Sequence, residues 1–285
     1  MDYQLGSKIG EGGCSEVYEW MGAQKIVKLA KANTGVGALQ AELHHSRVAW
    51  QYGLPVPKPY ELVNVNGRFG IVFERVYGQS LISLFIRSAV EQVKRQAPDQ
   101  TADDLIHVKW TARLLHDIHG HSAANLPCQR ESIKHDIRRA AYLPDIEKEE
   151  VISRLERLPL KQQLCHGDPN PGNIMLHEGS ATIIDWNNAT CGNPEADLAE
   201  YILMLRYAIL PSHMPVEAGI VLNNVREPSI RLFMAEYERL SAISYSEVEP
   251  WLLPVAARKL AADGISDEEK ALLVQEIRRR LGRSA

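Results

Sequence analysis

Cysteine is scarce and unpatterned in this chain: Cys14, Cys128, Cys165 and Cys191 are the four among 285 residues, and no two form a C-x-x-C pair. That spacing excludes a disulfide-stapled scaffold and suits reduced thiols in a reducing compartment. Basic excess is lacking too, since 32 Lys and Arg face 36 Asp and Glu for a net charge of −4. A nucleic-acid-binding footprint is thereby excluded, and the short run Arg278, Arg279, Arg280 reads as a solvated helix face. Long apolar runs are missing as well. The longest, Tyr201 to Leu210, is broken by Arg206, so no membrane span is expected. Residues 1 to 20 have no apolar core of the signal-peptide kind, and the expected compartment is the cytoplasm.

What is present is enough apolar content, 45%, to bury a full core, on a length that fits two lobes better than one small domain. Chemistry concentrates between Leu164 and Asp197, in LCHGDPNPGNIMLHEGSATIIDWNNATCGNPEAD. Ile174-Met175-Leu176 and Thr182-Ile183-Ile184 flank a turn around Gly179, which predicts a β-hairpin. Asn173 precedes the first strand and Asp185 follows the second, so folding sets them side by side at the open end. Asp168 stands close before them. Oxygen-bearing side chains grouped this way suit a hard divalent cation that also holds phosphate oxygens, which marks a candidate phosphoryl-transfer centre.

The succession HGD, PNPGN, IIDW and GNPEADLA resembles the aminoglycoside phosphotransferase and choline kinase family, protein-kinase-like enzymes that phosphorylate small molecules. The resemblance implies an α+β, protein-kinase-like two-lobed fold. An N-terminal nucleotide-binding lobe, a five-stranded antiparallel sheet with one helix, is expected over residues 1–76, and a mostly helical catalytic and acceptor-binding lobe over residues 77–285. It also implies that Asp168 is the catalytic residue that orients and deprotonates the acceptor hydroxyl. Asn173 and Asp185 would hold Mg²⁺, and Asp197 would buttress the loop. His166 takes the place of an architectural histidine.

In the first lobe, Gly10, Gly12 and Gly13 form a glycine-rich turn whose bare backbone can approach a phosphate chain. Measured against the kinase pattern G-x-G-x-x-G-x-V, Ser15 replaces the third glycine and Val17 keeps the valine. Lys28 falls where that pattern expects a phosphate-contacting lysine, with Lys25 and Lys31 as rivals. A helix predicted from Gly37 to Tyr52 sets Leu39, Glu42, Leu43 and Trp50 on roughly one face. A carboxylate on that buried side needs a cation, and Lys28 is the candidate partner of Glu42. Two further strands, Glu61 to Val65 and Arg68 to Glu74, surround the turn Asn66-Gly67. The continuation resembles a kinase hinge, in which the Glu74 carbonyl and the Val76 N–H would meet an adenine edge and Phe73 would guard the pocket behind. The nucleotide implied is ATP, or GTP.

Helices are predicted over Leu81 to Gln96, from a capping box at Thr101 and Asp104 through His119, in two segments around Pro144, and then over Leu198 to Leu210, Pro228 to Ser244, Ser246 to Ala262 and Ser266 to Leu281. His116, His119 and His121 invite a zinc reading, but no fourth ligand stands at a familiar spacing. Eleven residues separate Asp185 from Asp197, too few for a phosphorylated activation segment with a peptide-docking platform. The expected acceptor is therefore a small hydroxyl-bearing molecule: an aminoglycoside-like antibiotic, an amino alcohol or a sugar-type metabolite. Residues 201–285 hold eleven acidic and eleven basic side chains, an average that does not favour a polycation, though Glu217, Glu236, Glu238, Glu247 or Glu249 could still build a local acidic wall. The alternatives are a catalytically silent nucleotide-binding regulator and a protein kinase. Either a monomer or a homodimer fits.

Overall fold

The computed structural model describes residues 5–95, 105–262 and 264–283. Strands β1 (Leu5–Glu11), β2 (Ser15–Trp20), β3 (Lys25–Ala30), β4 (Pro59–Val65) and β5 (Arg68–Glu74) make one antiparallel sheet in the order β1-β2-β3-β5-β4. Helix α1 (Val36–Gln51) crosses it between β3 and β4. The Asn66-Gly67 turn closes the β4–β5 hairpin with both residues at positive φ, the backbone that a two-residue hairpin turn requires. The sheet has apolar packing on both faces, Trp20, Val27 and Val72 in one cluster and Leu39, Leu43, Ile71 and Phe73 in the other. Burial of these alternating side chains locks the register, because a one-residue slip would turn each set to the wrong face.

The register matters for the site. Gly10 pairs with Val17, and Val17 pairs with Lys28, so the base of the glycine turn and the lysine lie side by side on adjacent strands. On α1, Leu39, Glu42 and Leu43 are buried as expected, but Trp50 is 43% exposed. The buried stripe runs instead through His45, Ser46, Val48 and Ala49, and its lower half packs into the core of the helical region.

A two-residue strand β6 (Gln79–Ser80) leads into α2 (Leu81–Lys94), α3 (Ile106–His119), α4 (Gln129–Arg139) and α5 (Asp145–Glu156). The expected capping box at Thr101 and Asp104 lies outside the described residues. Strand β7 (Gln163–Cys165) then precedes the hairpin β8 (Ile174–His177) and β9 (Ser180–Ile183). Two pairings were not foreseen: β6 adds a third strand beside β8, and β7 pairs with β10 (Thr190–Gly192) on the far side of the hairpin. The β7–β10 pair ties both ends of the chemical stretch to one place.

The C-terminal helices are α6 (Pro194–Tyr207), α7 (Val216–Ser241), α8 (Tyr245–Val248), α9 (Leu252–Lys259) and α10 (Asp267–Leu281). Helix α6 starts earlier than Leu198, with Pro194 in its first turn, where a missing N–H costs nothing, and Glu195 and Asp197 at its positive end. Helix α7 begins before Pro228 and carries that proline inside it. The lost hydrogen bond is outweighed by burial on both sides, Ala218, Val221 and Val225 against Phe85 and Ala89 of α2, and Ile230, Phe233 and Tyr237 in the main core. The continuous helix expected over Ser246 to Ala262 is broken by a 3₁₀ turn, Glu249–Trp251, at Pro250. Among the described residues, no helix is long and apolar enough to cross a membrane.

Candidate phosphoryl-transfer site

Three lysines competed for one role, and their contacts separate them. Lys25 lies over the Tyr60 ring, 4.3 Å from its centroid, and Lys31 pairs with Glu11. Lys28 alone of the three reaches the hairpin: its Nζ lies 2.6 Å from Glu42 Oε1 and 2.9 Å from Asp185 Oδ1. The Glu42 and Lys28 side chains are 7% and 15% exposed, so the pair is held in a low-dielectric setting. Burial works against the charged ammonium, but the fields of Asp185 and then Glu42 outweigh it and raise the Lys28 pKa above its ordinary value. The cation thus persists at any physiological pH.

Beneath the glycine turn, Gly12 N–H donates to the Ser15 carbonyl at 2.9 Å, and Ser15 itself is buried at the start of β2. A Cβ built on Gly12 or Gly13 would meet nothing within 4 Å, so protein packing does not demand glycine there. The open space over the turn leaves its backbone free to approach a phosphate. At the end of β5, Phe73 is buried against Leu39 and Leu43, while the Glu74 carboxylate accepts from the Lys58 N–H at 3.1 Å and Val76 is half-buried.

The hairpin brings Asn173 and Asp185 together as its pairing requires. Ile174 faces Ile183, and the Ile184 N–H donates to the Asn173 carbonyl at 2.8 Å. Asp185 occupies the left-handed region, φ 68° and ψ 65°, a conformation that costs a non-glycine residue about 1 kcal/mol and that Asp tolerates better than most. The Asn173 amide donates to the Asp168 carbonyl and to Asp168 Oδ2, each at 3.1 Å. With Nδ2 committed to two acceptors, the carboxamide oxygen is the atom left over, and beside the Asp185 carboxylate it completes an oxygen-only donor set. That chemistry fits Mg²⁺ or Ca²⁺ and not a soft metal.

Asn170 went unnoticed in the sequence and shapes the same loop. Its Nδ2 lies 3.0 Å from both Asp168 oxygens while its Oδ1 accepts from Gly172 N–H at 2.8 Å, capping the 3₁₀ turn Pro171–Asn173. The PNPGN spacing, an Asx turn before proline and glycine, was the available signal. Neutral amide donors thus aim the Asp168 carboxylate, with no cation bonded to it among the described residues.

Behind the loop, Asp197 is fully buried and accepts from His166 N–H at 2.6 Å, Gly167 N–H at 2.9 Å and His119 Nε2 at 3.2 Å. Burial by itself would raise its pKa; the His119 hydrogen bond and charge, with the His166 N–H, hold it below the usual carboxylate range instead. His119 Nδ1 lies 2.7 Å from the Tyr237 hydroxyl, so the ring is held at both nitrogens and braces the loop. His119, Cys165 and Asp197 also cluster closely, but every His119 and Asp197 ligand atom is already hydrogen-bonded. His166 donates from Nε2 to the Ile184 carbonyl at 3.1 Å, linking the Asp168 loop to the segment just before Asp185. Gly167 has φ +79°, and a Cβ there would sit 2.2 Å from the Asn188 carbonyl oxygen. No other residue fits. From α9, Arg258 Nη2 donates to the Gly167 carbonyl at 2.7 Å, a contact that no sequence motif announced.

The five glutamates that could have formed an acidic wall do other work or face solvent. Glu236 is held by Arg113 and Arg239, Glu247 closes the capping box of α8, and Glu249 pairs with Arg280. Glu217 and Glu238 lie at the two ends of α7.

A five-stranded sheet with its crossing helix, joined to a helical region by a Lys–Glu–Asp triad and an HGD loop, defines a protein-kinase-like two-lobed fold. The chain belongs to the phosphotransferase enzyme family, whose model matches residues 10–223. Similar solved structures include aminoglycoside phosphotransferase APH(4)-Ia, at 14% identity and TM-score 0.65, covering 99% of this chain and 94% of that one. A complex of amicoumacin kinase hAmiN with AMP-PNP, Ca²⁺ and Ami matches at 16% identity and TM-score 0.61, over 98% and 87% of the two chains. Aminoglycoside phosphotransferase APH(3'')-Id from Streptomyces rimosus ATCC10970 matches at 17% identity and TM-score 0.56, over 90% and 92%. At these identities the likeness is one of fold. No curated protein matches the chain by sequence.

The Lys28 triad makes a direct stability prediction. Lys28→Met should strand Glu42 as an uncompensated buried carboxylate and cost about 3 to 5 kcal/mol, seen as a lower urea midpoint. Lys28→Met with Glu42→Leu should recover most of that loss. A second prediction concerns His45, which lines the other side of the same junction and donates from Nδ1 to the Trp186 carbonyl at 3.0 Å. Burial lowers its pKa, so the folded protein keeps the ring neutral while an unfolded chain takes up the proton near pH ~6.5. Stability from this ring is complete above about pH 6.5 and is lost as the pH falls through the lower folded-state value. The melting temperature should therefore drop less between about pH 7.5 and 5 in His45→Gln than in the unaltered protein.

Proposed function

We propose that this protein transfers the γ-phosphoryl group of ATP, or of GTP, to a hydroxyl of a small molecule, with residues 1–76 as the nucleotide lobe and 77–285 as the catalytic and acceptor lobe. The observation that carries the reading is the convergence of Lys28, from β3, with Asp185, Asn173 and Asp168 around the mouth of one hairpin. A protein that merely bound nucleotide would have no use for a carboxylate aimed by two asparagine amides beside the hairpin mouth.

In this mechanism Lys28, held by Glu42, and the glycine turn around Gly10, Gly12 and Gly13 position the phosphates. Phe73, Glu74 and Val76 line the adenine end. Asn173 and Asp185 would hold Mg²⁺, which when bound neutralises charge on the phosphate oxygens. Asp168 accepts the hydrogen bond of the attacking hydroxyl and takes its proton as the new O–P bond forms and the bond to the leaving diphosphate breaks. Asn170 and Asn173 keep that carboxylate from rotating away. Asp197 and Arg258 hold the Gly167 peptide from opposite sides, so that the base does not drift during transfer.

A peptide acceptor is disfavoured by how the interval after Asp185 is used. A 3₁₀ turn (Trp186–Asn188), then β10, then the first turn of α6 consume all of it, leaving no segment to carry a docking platform.

Asp168→Ala should lower turnover with a verified acceptor by about 10² to 10⁴ while largely sparing nucleotide affinity. Full turnover in that variant would remove Asp168 from the mechanism. Slow Mg²⁺-dependent hydrolysis should vanish in Asp185→Ala.

A further inference from the structure

Beside the catalytic loop lies a cavity of about 130 Å³, bounded by α4, by the turn after Asp185 and by α9. Arg258 is shared between this cavity and the loop, since the guanidinium in its wall also donates to the Gly167 carbonyl, one residue before Asp168. Asn188 is shared likewise, its carbonyl packed against the Gly167 Cα. A larger cavity of about 380 Å³ is lined by His116, His119 and Tyr237, of which His119 is bonded to Asp197 behind the loop.

The wall of the smaller cavity sets the chemistry of what it can hold. Among the described residues, Asp136 is its one carboxylate and Arg258 its one guanidinium or ammonium, and the two lie 3.8 Å apart. Arg258 is also 4.0 Å from Glu200, which Lys259 neutralises at 2.7 Å. The charges cancel locally, so neither a polycation nor a polyanion finds an uncompensated partner. The rest of the polar wall is His45, Gln129, Ser132, Asn187, Asn188 and Thr190, groups that both donate and accept. The Thr190 hydroxyl is buried with no hydrogen-bond partner among the described residues. Drug-sized ligands occupy pockets of about 300 to 1,000 Å³, so this one suits something smaller.

The geometry points to this cavity as the acceptor subsite and to a neutral polyhydroxylated molecule of single-ring size as its occupant. Asp136 and Arg258 recognise neighbouring hydroxyls, one by accepting and one by donating. This inference rests on the phosphotransfer reading above. A multi-ring aminoglycoside would exceed the cavity and set ammonium groups against Arg258. A charged amino alcohol would have to displace Arg258 from Asp136.

The test is Mg²⁺-dependent ADP release over the hydrolysis background, against neutral monosaccharides and sugar alcohols, charged amino alcohols and hydroxy amino acids, and aminoglycosides. Nucleotide binding is measured separately with a fluorescent analogue. At least one neutral polyol should raise ADP release tenfold or more, and Ser132→Trp, which fills the cavity from α4, should abolish the rise. Asp136→Asn leaves Arg258 uncompensated and should raise the kcat/KM ratio of a sugar acid over its neutral counterpart at least tenfold. Stimulation confined to aminoglycosides or amino alcohols, no response to any polyol, or a response that survives Ser132→Trp would overturn the inference while leaving phosphotransfer intact. Absence of both nucleotide binding and hydrolysis in the unaltered protein would overturn the phosphotransfer reading, and this inference with it.

Discussion

The shared ammonium of Lys28 is the constraint on which the molecule's working arrangement depends. A buried carboxylate on α1 and a second carboxylate at the end of the β8–β9 hairpin converge on one cation carried by β3. Glu42, whose side chain is 7% exposed, could not sit there unpaired without a cost of several kcal/mol, whereas Asp185, at 34%, keeps part of its hydration. The sheet, the crossing helix and the hairpin are therefore held in one relative placement by charge as well as by packing. The apolar stripe at the lower end of α1, Val48 and Ala49, anchors that helix in the main core and fixes the direction from which Glu42 arrives.

The loop that carries Asp168 is restrained by a different kind of force. Its backbone N–H groups at 166 and 167 are taken by buried Asp197, its carbonyl at 167 by Arg258, and its side chain by two asparagine amides. The left-handed backbone at Gly167 is what turns the donors one way and the carbonyl the other. A short loop in which each polar group has an assigned partner has few alternative conformations, the pre-organisation that phosphoryl transfer by positioning demands.

Much of this was legible in one dimension because the residues concerned sit in short, local patterns. The glycine turn, the Asn66-Gly67 hairpin, the β8–β9 hairpin and the pairing of Glu42 with a lysine all follow from periodicity, turn chemistry and the cost of burying a charge. Lys28 could be preferred over Lys25 and Lys31 by its apolar neighbours, though the contacts to Tyr60 and Glu11 that occupy those rivals could not be foreseen. Trp50 was misplaced because a helix stripe drifts with the 3.6-residue period, and the burial of His45 and Ser46 rotates the true stripe away from it. The proline inside α7 and the break at Pro250 were misread for one reason: local propensity gave way to what packs on either side.

The sequence by itself determined the elements and the chemical kinds: which stretches alternate, which turn, and which acids and amides stand near enough along the chain to act together. Only the tertiary structure decided the partners that lie far apart in the chain, Lys28 with Asp185, Asp197 with His119, Arg258 with Gly167 and Asp136 with Arg258. The physical reason is that a side chain's own pattern states what it needs, a cation, a donor or a dry surface, whereas which distant group supplies it depends on how helices without any shared motif pack against one another.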